Sequence, residues 1–198
     1  MQHRSEETRN HILETAIHLF SKTGYDATGV AEICQAAGVS KGAFYHHFPT
    51  KQSVFMEVLN SYLNGIETGF NLMRQEVQDV PQAILQMAAL VGSLFQTADI
   101  HLPIFLEFWT QANHDPHIWE TAIAPYRRYQ SYFAEMIQEG IDQGSLQAVD
   151  AQLAARVLVS LALGMLMQSL FDPSVNDWQI EARQSMELLM QGIARRKE

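Results

Sequence analysis

Apolar residues return at helical spacing along almost the whole chain, and that periodicity admits little besides an all-helical fold. Ile12, Leu13, Ala16, Ile17 and Phe20 form a first stripe, which ends near Gly24. Val30, Ile33, Cys34 and Ala37 form a second, shorter one, followed by Gly38. A much longer stripe runs through Val54, Phe55, Val58, Leu59, Tyr62, Ile66, Phe70 and Met73. The 198 residues include only six Pro and eleven Gly, few for the many turns of an all-β chain. With 47% apolar and 18% charged residues the chain can bury a core.

Punctuation residues divide the pattern. Ser40 stands where an N-cap would open a third helix, from Lys41 to about His47, which Pro49 stops. Thr50 can cap the fourth. Beyond Asp79 and Pro81 a stripe reaches about Thr97, and Pro103 to Ala112 reads as a short aromatic helix. Asp115-Pro116 is an N-cap with a first-turn proline, opening a helix to about Gln143, inside which Pro125 predicts a kink or break. Asp150 caps a strongly apolar helix to Phe171, and Pro173 separates it from a last one, Asn176 to about Arg196. The expectation is an all-α chain of about nine helices. Three form a head over residues 1–50, and residues 51–198 form a larger helical body. There is no internal repeat or low-complexity linker.

Composition excludes several classes. The single cysteine, Cys34, rules out an internal disulfide and any zinc site needing two thiolates, and its place on an apolar stripe reads as structural. The first residues carry no apolar signal segment, and the longest apolar run, Val157 to Met167, is too short to cross a bilayer. A cytoplasmic chain is expected. The net charge is −9, yet residues 1–55 hold five basic and five acidic groups, so all of the excess lies in the body. A neutral head could approach a polyanion that the body would repel.

Residues 28–48 carry the chemistry. They read as a helix, a tight turn at Gly38-Val39-Ser40, and a second helix, with Val39 as the plug of the turn and Gly38 supplying a positive φ. A short helix of this kind can enter a major groove. Lys41 brings a cation, Gly42 and Ala43 let the backbone come close, and Tyr45 and His46 offer hydrogen-bonding tips, while Phe44 and Phe48 pack inward. Taken alone, the outward residues would read as a solvated face.

Ala36-Ala37-Gly38-Val39-Ser40-Lys41-Gly42-Ala43-Phe44-Tyr45-His46-His47-Phe48, with Lys51 behind it, resembles the DNA-binding signature of TetR-family transcriptional regulators. Phe20 to Thr28 and Ile33 fit the same pattern, and the resemblance spans roughly residues 8–60. It implies a homodimer on a palindromic operator, acting as a repressor and released by a small apolar or amphipathic molecule held in the body. It also implies DNA contact by Lys41, Gly42, Ala43, Tyr45, His46 and Lys51, with Ser40 at the helix start. Tyr45 and Lys51 would meet phosphate, and Lys41, Ala43 and His46 would lie near base edges. Thr28 is expected to cap its helix and touch phosphate, and Arg4 to reach phosphate or the minor groove. Gly29 departs from the family, which usually has Ser or Thr there, and removes one hydroxyl from the phosphate contacts.

In the body, many large rings and several Met can wall an apolar pocket. Met87, Phe105, Trp109, Tyr126, Tyr129 and Met165 are the candidate lining, each by itself equally a core residue. Glu107 could meet a cationic ligand or face water. The helix from Asp150 is apolar over more than one face, which a four-helix dimer interface explains, with Leu158, Leu161, Met165, Leu189 and Ile193 as candidates.

Other classes fit less well. Gly38-Val39-Ser40-Lys41-Gly42 matches a nucleophile elbow on paper, but a helix rather than a strand precedes it. With no His-Glu-x-x-His, Gly-x-Gly-x-x-Gly or P-loop, an enzyme is not expected. Neither a cofactor nor a metal site is expected. Adjacent His46 and His47 point about 100° apart on a helix and cannot readily chelate one ion. A helical adaptor without DNA binding, or an activator of the same fold, are the alternatives.

Overall fold

In this computed structural model the described residues are 2–92, 106–110, 113, 116–172, 174 and 177–194. They form α1 (Gln2–Thr23), α2 (Val30–Ala36), α3 (Lys41–His47), α4 (Lys51–Glu76), α5 (Val80–Gly92), α6 (residues 106–110), α7 (Pro116–Asp142), α8 (Ala151–Phe171) and α9 (Trp178–Ile193). The only β pairing among them is one isolated antiparallel bridge between Leu146 and Ala194.

Side-chain chemistry sets the helix ends. After α2, Gly38 takes φ +63. Its N–H donates to Gln35 O at 3.2 Å and that of Val39 to Cys34 O at 3.0 Å. This is a Schellman stop, which needs the left-handed residue that glycine supplies. The N–H of Ala43 then donates to Ser40 Oγ (3.1 Å), opening α3. Thr50 and Ser53 cap α4 reciprocally, Ser53 N to Thr50 Oγ1 at 3.0 Å and Thr50 N to Ser53 Oγ at 3.2 Å. Asp79, Asp150 and Asp177 accept N–H bonds at the starts of α5, α8 and α9.

The chain packs as two compact units. The first holds residues 1–64 and 100–122, so its described part is α1, α2, α3, the start of α4, α6 and the first turns of α7. Its core is aromatic: Phe20, Tyr25, Phe44, Phe48, Phe55 and Phe108, with Ile12, Ile33 and Val54 among them. The second unit holds residues 65–99 and 123–198, with Phe70, Ile84, Met87, Phe133, Ile137 and Leu158 in its core. The boundary between the two units does not fall at residue 50, where the sequence places it. By packing, the head extends through residue 64, because Val54 and Phe55 belong to the core of α1–α3.

Pro125, where a kink or a break is expected, lies inside α7 without breaking it, and the helix runs from Pro116 to Asp142. One lost backbone bond is outweighed by burial on both sides of it: Ala122 lies in the core of the first unit, and Phe133 and Ile137 in that of the second.

Candidate nucleic-acid interface

α3 is amphipathic at seven residues. Phe44 and Phe48 are buried, and the faces left outside carry Lys41, Gly42, Tyr45 and His46, with Ala43 half-buried between them. Tyr45 is 52% exposed, its ring held edge-on by Phe44 at 5.4 Å. A phenol on a rigid aromatic base, beside a lysine and a histidine, is a surface suited to phosphates and base edges. Behind it, Arg9 pairs with Glu57 and lies 5.3 Å from the Phe48 ring centroid, so its guanidinium braces α1 against α4 and the end of α3.

The turn between α1 and α2 is held from two sides. Gly24 has φ +88, and the next two N–H groups, of Tyr25 and Asp26, donate to Glu107 Oε2 (2.9 Å) and Oε1 (2.6 Å). Consecutive N–H groups after a left-handed residue make an anion nest, and the carboxylate fills it. From the other side Lys51 Nζ donates to Tyr25 O (2.7 Å) and Asp26 O (3.2 Å) and lies 4.3 Å from the Tyr25 ring centroid. Burial pulls the lysine below its ordinary pKa, against the raising effect of Asp26 and Glu107. The Tyr25 phenol is pushed up to about 12, by burial first and then by Asp26 and Glu107.

These contacts bear on three residues singled out in the sequence. Thr28 does not cap α2: the N-cap is Gly29, which has no side chain to offer. Thr28 is fully buried, its hydroxyl donating to Gly24 O at 2.7 Å and sharing a 2.8 Å bond with Thr23 Oγ1, so it closes the turn instead of facing outward. Lys51 is half-buried with its ammonium committed to two carbonyls. Glu107 is half-buried, and its carboxylate accepts from the Tyr25 and Asp26 N–H groups. Its contact with a turn 82 positions away could not be read from periodicity. Arg4 sits on α1, with its side chain outside the described residues, as is Phe105.

Among the body residues, Met87 and Met165 are buried, and Trp109, Tyr126 and Tyr129 are half-buried. Trp109 belongs to the first unit, the others to the second. A half-open groove of about 200 Å³ in the second unit runs between Glu67 and Phe70 of α4 and Arg128, Tyr129, Tyr132 and Glu135 of α7. Of the expected lining residues that the structure describes, only Tyr129 borders it. The Tyr132 hydroxyl is buried and has no hydrogen-bond partner among the described residues.

The expected dimer residues divide. Leu158 and Met165 point into the chain's own interior, and Leu161, Leu189 and Ile193 are partly buried against the same core. What α8 and α9 leave uncovered is Leu153, Val157, Leu163, Phe171, Ile180 and Leu188, the last 73% exposed. By length and composition α8 is also apolar enough to cross a membrane, contrary to the expectation from its uninterrupted run. Its buried residues, Ala155, Leu158, Val159 and Met165, nonetheless pack inside the protein.

Known proteins share this arrangement. Residues 12–58 match the family model described as bacterial regulatory proteins, tetR family, and residues 81–195 match that of the BetI-type transcriptional repressor, C-terminal. The regulator AcrR of Shigella flexneri is 48% identical over 54 residues, 27% of this chain and 25% of that protein. UidR of Escherichia coli strain K12 is 21% identical over 167 residues, 84% of this chain and 83% of that one. The crystal structure of a regulator from Saccharomonospora viridis, in complex with choline, superposes with a TM-score of 0.78 at 23% identity, over 96% of this chain and 100% of that one. At that identity the likeness establishes the fold. These relatives are transcriptional regulators and not enzymes. With a helix-turn-helix head matching one model and more than half its length matching the other, the chain belongs to the TetR family of bacterial transcriptional regulators.

Proposed function

We propose that this protein is a homodimeric repressor that binds a palindromic operator through α3 and is released by a small molecule held in its second unit. The observation that carries this is the outward face of α3, where Lys41, Tyr45 and His46 stand clear of the buried Phe44 and Phe48. Ser40, Gly42 and Ala43 would sit close to the DNA backbone at the start of the helix, and Arg4 would add a cation from α1. Lys51 and Thr28 would act by holding the turn behind the interface.

The uncovered apolar side chains of α8 and α9 support a dimer, since a monomer rarely leaves so many in water on neighbouring helices. A two-fold axis there matches a palindromic site with half-sites about 34–36 Å apart or a multiple of that. The effector fits a small amphipathic molecule: rings of Phe70, Tyr129 and Tyr132 border one groove with Glu135 and the Arg128–Glu67 ion pair (3.0 Å), and the Saccharomonospora viridis regulator holds choline. The working place of such a protein is the cytoplasm.

The test is selection of random duplexes by the purified protein followed by sequencing. A recovered palindrome, bound with a steep negative salt slope, establishes the regulator. No enrichment at low salt, from protein shown by mass spectrometry to carry no ligand, favours a helical adaptor. Induction instead of silencing at the recovered site makes the protein an activator.

A further inference from the structure

We propose that Glu107 is a positioning residue for DNA binding: a latch by which α6 holds the Gly24–Asp26 turn, and with it the α2–α3 reading head, in its binding geometry. The inference deepens the repressor reading and rests on it.

The turn has a built socket. Gly24 at φ +88 aims the N–H groups of Tyr25 and Asp26 at one point, and both oxygens of Glu107 occupy it, at 2.9 and 2.6 Å. The fit is close, because a Cβ at Gly24 would come within 3.1 Å of Oε2. The same two residues present their carbonyls to Lys51 Nζ, so a carboxylate and an ammonium grip opposite sides of one dipeptide. Beside Glu107, Phe108 is fully buried, its ring edge-on to Tyr25 at 5.4 Å and stacked on Phe55 at 4.0 Å. Two adjacent residues of α6 thus fix the turn, one through polar and one through apolar contact.

What the turn governs is α2. Thr28, four residues after Gly24, donates back to Gly24 O and pairs with Thr23, so the chain enters α2 directly from the latched segment. Gly29 contributes no side-chain cap, which leaves the turn as the anchor of the α2 start. α2 packs on α3 through the Gly38 stop. A movement of α6 therefore has to reach the recognition helix or break the latch.

The experiment uses the full chain with Glu107→Gln, which keeps size and removes the charge. Fluorescence anisotropy measures binding to the duplex that the wild type selects, and amide exchange by NMR follows Tyr25 and Asp26. We expect both amides to exchange faster while the amide of Ile137, in the core of the second unit, keeps its rate. Binding should weaken about tenfold with an unchanged salt slope. This is a sharp test, since removing a negative charge would by Coulomb attraction alone tighten binding to DNA. Equal or tighter binding overturns the proposal, and so does unchanged exchange at Tyr25 and Asp26. Should Glu107→Gln fail to fold, Glu107→Asp, charged but one methylene short, is expected to show the same pair of losses and is judged by the same criteria. If the wild type selects no duplex, the repressor reading fails, and with it the role of Glu107 in DNA binding; the exchange measurement then shows whether the latch itself exists.

Discussion

The ring of Phe108 stacks on that of Phe55, with centroids 4.0 Å apart and planes 19° from parallel. One residue lies on α6 and the other on α4, and both are buried in the core that also holds Phe20, Tyr25, Phe44 and Phe48. The recognition helix therefore rests on a core that α6 completes. Phe108→Ala should lower stability by about 3–5 kcal/mol, the cost of a large cavity among rings. Chemical denaturation measures it; a loss below about 1 kcal/mol would mean that the core closes without this ring.

Two glycines with positive φ provide a matched comparison. Gly38 (φ +63) has open space where a Cβ would go, so Gly38→Ala meets backbone strain alone, about 1–2 kcal/mol. At Gly24 (φ +88) the same change also presses on Glu107 Oε2 at 3.1 Å. Gly24→Ala should be the more destabilising in thermal unfolding. The reverse order would show that the carboxylate yields at no cost.

Tyr45 is half exposed and its hydroxyl lies outside the core, so Tyr45→Ala should leave the unfolding midpoint nearly unchanged. Operator affinity should fall about tenfold, nearly equally for matched and mismatched sites, as expected for a group that meets phosphate. A gel-shift titration with unchanged affinity would remove Tyr45 from the interface.

The uncovered residues of α8 and α9 separate two roles. Val157→Glu with Leu188→Glu should yield a folded monomer in sedimentation velocity at micromolar concentration, because each places a charge in an apolar contact between copies. Leu158→Ala, by contrast, should cost about 2–5 kcal/mol of stability with little effect on association at low denaturant. A dimer that survives both glutamates would place the interface elsewhere.

The buried Tyr25 phenol gives a pH signature. Its pKa is raised to about 12 from an ordinary 10, mainly by burial, so the folded state keeps a proton that the unfolded state loses. That contribution is fully present below pH 10 and disappears as pH climbs from 10 to about 12. Lys51, whose pKa is lowered, acts in the opposite sense, favouring the folded state as pH rises towards its unfolded value. Tyr25→Phe should flatten the decline above pH 10 in urea titrations; a slope identical to the wild type would assign the decline to other groups.

Local sequence places several helix ends among the described residues, whereas the ends expected near Thr97, Pro103 and Ala112 lie outside them. Ser40, Gly38, Thr50 and Asp150 cap and stop as read, because capping is a matter of a few neighbouring atoms. Local sequence also determined the inward turn of Phe44 and Phe48, one on the seven-residue helix and one at its C-cap, both too apolar to leave in water. Pro125 does not break α7, although a proline inside a helix costs roughly 3 kcal/mol locally, because burial on either side of it holds the helix together. Which side of α8 faces inward was undecided: it is apolar nearly all round, so only packing against the rest of the second unit sent Leu158 inward and left Val157 out. Lys51 and Glu107 acquired their places from tertiary contact, and Thr28 from the turn it closes. Each can cap, pair with a charge or face water, and the choice was made by a turn whose backbone groups needed partners from 4, 25 and 82 positions away.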